Sequence, residues 1–77
     1  MSEEKMIRKF IEEEEEFRNI RLKYADWNFI NNQPPKIRAA LKFYIETGDI
    51  RRACIIAGMN ISLFREILRE ADIPVIV

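Results

Sequence analysis

From about Glu3 to Asn31 the large apolar residues fall at helical spacing, over a stretch too long for the chain that carries it. Met6, Phe10, Phe17, Ile20, Tyr24 and Trp27 are separated by four, seven, three, four and three positions. That is the a/d stripe of an amphipathic helix, with Glu13 in one polar slot and Ile7, Ile11 and Ile30 widening it. Ser2 ahead of Glu4 and Lys5 predicts the start, and Asn31-Asn32-Gln33-Pro34-Pro35 the stop. Breaks near Asn19 or Asp26 are weaker alternatives. A helix of ~28 residues is ~40 Å long, whereas a compact chain of this size spans ~30 Å. The rod should overhang its own domain and leave part of the stripe bare. Pairing with a second copy covers it. A homodimer is therefore expected, with Phe10, Phe17, Ile20 and Tyr24 at or near the interface.

Glu12 to Glu16 form an acidic run on this helix. One reading is a DNA-mimicking or cation-binding face. The simpler reading is a solvated face with Glu4–Arg8 and Glu14–Arg18 as i,i+4 pairs. Consecutive glutamates fan around a helix and do not converge on one ion.

Beyond Pro34 the pattern shortens. Pro35 suits the first turn of a helix whose apolar positions are Ile37, Ala40, Leu41, Tyr44 and Ile45. Gly48 ends it as a left-handed cap, and Asp49 caps a short helix from Ile50 to about Ala57. Gly58 closes that helix. Asn60 caps the next, from Ile61 to about Ala71, with Met59 and Phe64 spaced as a hydrophobic staple. Pro74 forbids further helix, so Asp72 to Val77 reads as extended. This apolar tail is read as a strand covering the chain's own core rather than as an edge that a partner augments, because so apolar a free edge would aggregate. The expected fold is all-α. A long N-terminal amphipathic helix (1–33, the dimerisation element) precedes a three-helix helix-turn-helix unit with a short extended C-terminal tail (34–77).

Composition narrows the function. The 77 residues contain no histidine and one cysteine, Cys54, so the usual zinc sites and a Cys-His nucleophile pair are excluded. Cys54 reads as a small core residue. There is no Gly-rich phosphate loop, and the hydroxyls Ser2, Thr47 and Ser62 are scattered. A binding protein without metal or cofactor is expected, not an enzyme. No apolar run reaches membrane-spanning length and no signal peptide stands at the start, which predicts a cytoplasmic protein without membrane contact. Thirteen isoleucines and dense Glu, Lys and Arg suggest a thermophile. Net charge is zero, but residues 1–33 carry six basic and eight acidic groups, and residues 34–77 seven basic and five acidic. That asymmetry is mild for a nucleic-acid binder.

A helix-turn-helix needs small residues where its helices cross and a glycine at the turn. Ala53, Ala57 and Gly58 meet that need, and Cys54, Ile56, Met59, Phe64 and Ile67 or Leu68 make the apolar wedge. On the last helix Leu63, Phe64, Ile67 and Leu68 form one face. Ser62, Arg65 and Arg69 form another, with Glu66 beside them. Asn60, Ser62, Arg65 and Arg69 would then face base edges of double-stranded DNA. Lys36, Arg38, Arg51 and Arg52 would contact phosphates. The alternative is a protein-interaction module on the same scaffold, favoured by the acidic helix, Glu66 and the balanced charge.

The segment from Tyr44 to Val77, YIETGDIRRACIIAGMNISLFREILREADIPVIV, resembles the C-terminal half of a small prokaryotic helix-turn-helix family grouped with antitoxins of toxin–antitoxin operons. Gly48, Ala53, Ala57, Gly58, Met59, Phe64, Leu68, Ile73, Pro74 and Val75 carry the resemblance. Asn60 stands where that family has serine, Cys54 where alanine is commoner, and the helix at 3–31 has no counterpart. The resemblance implies dimeric, autoregulatory DNA binding as a transcriptional repressor. A toxin-like protein partner would use the unmatched N-terminal segment.

Overall fold

Capping residues set most of the helix boundaries. The computed structural model describes residues 3–75. Its elements are α1 (Glu3–Tyr24), α2 (Trp27–Asn31), α3 (Pro35–Thr47), α4 (Ile50–Ala57) and α5 (Ile61–Glu70), and the described residues contain no strand. The expected start at Ser2 and the tail residues Ile76 and Val77 lie outside the described residues.

The helix expected to run unbroken to Asn31 is interrupted at Ala25-Asp26. Asp26 is extended (φ −83°, ψ 95°), and its carboxylate accepts the Phe29 N–H at 3.1 Å, opening α2 as an N-cap. The Asp26 N–H is spent elsewhere, donating to the Ala71 carbonyl at 2.8 Å near the other end of the chain. The break turns the chain so that Ile30 is fully buried. The remaining rod has 22 residues, ~33 Å of helix.

Within α3, Ala40, Leu41, Tyr44 and Ile45 are buried, as their periodicity predicts, and Ile37 is half-buried against the same core. α4 contributes Ala53, Cys54 and Ala57, whose small side chains permit close packing on α3, and α5 contributes Phe64 and Leu68. Tyr44 and Phe64 meet edge to face, with centroids 6.3 Å apart and rings at 78°. Ala25 and Ile30 enter this same cluster. Pro34 therefore separates helices but does not separate cores.

Gly48 and Gly58, both at φ +69°, close α3 and α4. At Gly58 the Met59 N–H returns to the Cys54 carbonyl at 3.2 Å, the signature of a Schellman cap. α5 ends the same way without glycine. Asp72 takes the left-handed position (φ 57°), and the Ile73 N–H bonds the Leu68 carbonyl at 3.0 Å. Ile73 is thereby turned inward, 3 % exposed, over the fully buried Leu68. The tail that sequence suggested as a core-covering strand instead covers the core through this one side chain, and Ile73 to Val75 have no regular structure.

Burial raises the pKa of both the Tyr44 phenol and the Cys54 thiol. Arg21 and Arg65 partly offset the shift at Tyr44, and Arg65 alone does so at Cys54. Both groups fold best uncharged. Their contribution is complete below the unfolded values, about 8.5 for a thiol and about 10 for a phenol, and is lost as pH rises through the higher folded values. Melting temperature should be level from neutrality to about pH 8.5 and then fall, the thiol contributing first. Cys54→Ala should remove the early part of that fall. A melting temperature that does not decline by about pH 10.5 would contradict this account.

Candidate nucleic-acid interface

The α4–α5 pair is joined by Gly58, Met59 and Asn60. The Asn60 side-chain carbonyl accepts the Leu63 N–H at 2.9 Å. That oxygen serves the cap, and the amide NH₂ carries no intramolecular hydrogen bond among the described residues. Along α5, Phe64 and Leu68 are completely buried, while Ser62, Arg65, Glu66 and Arg69 are exposed. The face of α5 away from the core is thus polar and carries two cations, Arg65 and Arg69, with two anions, Glu66 and Glu70.

Arg65 and Arg69 stand one turn apart and line a groove with Ile73 and Val75. The inward turn at Asp72 brings those tail residues alongside the arginines. Arg65 also acts electrostatically on Tyr44 of α3 and Cys54 of α4, which places its charge near the junction of three helices. A second depression, formed by Tyr24, Arg69, Asp72, Ile73 and Pro74, adjoins it. Among the described residues neither arginine has an ion-pair partner.

The expected phosphate contacts sit in two different first turns. Lys36 and Arg38 begin α3, the former exposed and the latter half-buried. Arg51 and Arg52 begin α4 and are exposed, with Arg52 3.6 Å from the Asp49 carboxylate. Such a solvent-exposed pair constrains the side chain little.

The four residues expected at a dimer interface are parted. Phe10 lies on the first half of α1 and is 63 % exposed, Phe17 and Ile20 are half-buried, and Tyr24 is exposed beside Arg69. Glu12 to Glu16 are exposed, and among the described residues neither Glu4–Arg8 nor Glu14–Arg18 closes as an ion pair. The described residues contain no cluster able to hold a metal ion and no helix long and apolar enough to cross a membrane.

Arg21 is the residue that sequence reasoning passed over. It is 5 % exposed, donates from Nε to the Ile45 carbonyl at 2.9 Å, and lies over the Tyr44 ring at 5.7 Å. That carbonyl is among those at the end of α3 left without an intrahelical donor. A cation there also complements the negative end of the helix dipole. The available signal was its position four residues after Phe17, on the apolar side of α1.

No protein family, no curated protein and no solved structure matches this chain.

Proposed function

We propose that the chain is a non-enzymatic, cofactor-free DNA-binding protein of helix-turn-helix type, acting as a homodimeric repressor or antitoxin-like autoregulator. The observation carrying this reading is the split of α5. Phe64 and Leu68 anchor it with no exposed surface, while Ser62, Arg65 and Arg69 are displayed on the other side. The left-handed Gly58 and the Asn60 cap support the reading, because a helix-turn-helix needs a tight glycine turn followed by a capped second helix. The resemblance of residues 44–77 to the antitoxin-associated family points the same way. With no net charge, one copy should bind weakly, and two-fold pairing would supply the rest.

Arg65→Ala should relax sequence preference at a cost of ~1–3 kcal/mol on the preferred site. Arg51→Ala or Lys36→Ala should weaken all sequences alike and reduce the dependence on salt. Gel retardation of selected and random duplexes at several salt concentrations separates the two. Absence of any shift at low salt would sink the reading.

A second reading is a protein-interaction module on the same scaffold, including one that binds a toxin-like partner. Its specific support is Ile55 on α4 and Leu63 on α5, 79 % and 50 % exposed. A purified one-to-one complex that is lost on Ile55→Asp, from a protein that fails to shift DNA, would select it.

A further inference from the structure

Every described residue of α1 through Glu16 is exposed, and four of them are large and apolar. Met6, Ile7, Phe10 and Ile11 retain 59, 60, 63 and 50 % of their surface. By helical spacing they lie on the side of α1 that also carries Phe17 and the buried Arg21, where α1 meets α3. The apolar stripe thus continues past the edge of its own domain, and the molecule measures 45 × 23 × 17 Å.

We propose that this overhang is covered by the overhang of a second copy, laid antiparallel about a two-fold axis near Phe10. Area is the first argument. Four half-bare apolar side chains at roughly 100 Å² each give about 800 Å² for the pair. The stems of flanking charged residues bring that to about 1,000 Å², where specific interfaces begin. Bulk is the second. The body of the domain hangs from the same side of α1 as the stripe. A parallel partner would bring two bodies together at one end, and an antiparallel one sends them to opposite ends. The pairing would serve the DNA-binding reading but does not depend on it.

Sedimentation equilibrium on the full chain tests the proposal. A reversible monomer–dimer equilibrium is expected, with a dissociation constant on the order of 100 µM or below. Phe10→Asp should weaken it by roughly 30-fold or more. Circular dichroism should show an unchanged fold, since Phe10 is exposed. The decisive arm places single cysteines in a Cys54→Ala background. Phe10→Cys, at the axis, should oxidise to a disulfide-linked dimer, whereas Met6→Cys, which only a parallel pair sets against itself, should not. A wild-type chain that stays monomeric at about ten times that concentration overturns the proposal. So does a chain that cross-links at Met6 as readily as at Phe10. Gel retardation with the same proteins keeps the two ideas apart. A dimer that ignores DNA refutes only the DNA reading, and a monomer that shifts DNA refutes only the pairing.

Discussion

Phe64→Ala should remove a large share of the folding stability at room temperature. The ring has no exposed surface and packs edge-on against Tyr44, joining α5 to α3. Truncating a buried phenylalanine costs about 3–5 kcal/mol in transfer and cavity terms. The total stability of a chain this short is about 4–12 kcal/mol. One side chain therefore accounts for a large share of it. Leu63→Ala is the matching control: its neighbour on the same helix is half exposed, and its loss should change stability by less than about 1 kcal/mol. Urea titrations of both variants decide the matter. A Phe64→Ala midpoint close to that of wild type would mean that α5 does not seat its ring in the core.

Arg21→Ala should have the second largest effect, about 2–4 kcal/mol. It combines a lost charged hydrogen bond with a lost contact over an aromatic face. Arg21→Lys should recover little, because an ammonium cannot both reach the Ile45 carbonyl and lie flat on Tyr44. Gly48 sharpens the test. A Cβ there would come within 3.0 Å of Arg21 Nη1, whereas at Gly58 nothing lies within 4 Å. Both glycines have φ +69°, so alanine at either site costs about 1–2 kcal/mol of backbone strain. Gly48→Ala should cost more than Gly58→Ala, and the excess should vanish when Arg21 is already alanine. Thermal or denaturant melts of this double-mutant cycle measure it. Equal costs at the two glycines in wild type would remove Arg21 from the end of α3.

Much of this architecture was readable beforehand where the signal is local. Gly48, Asp49, Gly58 and Asn60 each end or begin a helix through their own backbone preferences and near neighbours. The spacing of Ala40, Leu41, Tyr44 and Ile45 marks their buried face directly. What escaped prediction depends on groups distant in sequence. The competition between continuing α1 and capping α2 is settled by an Asp26 N–H whose acceptor is Ala71. Apolar periodicity, which favours continuity, cannot register that bond. Arg21 was overlooked because its charge marks it as solvent-facing, while the carbonyl and ring that satisfy it come from α3. Asp72 was legible only in hindsight, as a non-glycine residue tolerant of the left-handed region. For the candidate site, the exposure of Ser62, Arg65 and Arg69 follows from the α5 pattern. Their nearness to Ile73 and Val75 follows from the turn at Asp72 and was not legible.

The bond from Asp26 to Ala71 also bears on the order in which the chain folds. α3 and α4 are joined by only two residues, so their pairing closes a short loop and can form early. Arg21 must find Ile45 across the whole of α2, and Asp26 must find Ala71 across four helices. These closures carry the greater chain entropy: the first ties α1 to the end of α3, and the second ties the end of α1 to the end of α5. Changes on the α3–α4 seam should therefore act mainly on the folding rate, and changes at Arg21 or around Ala71 mainly on the unfolding rate. The break that ended the long helix should, in time, be the latch that closes last.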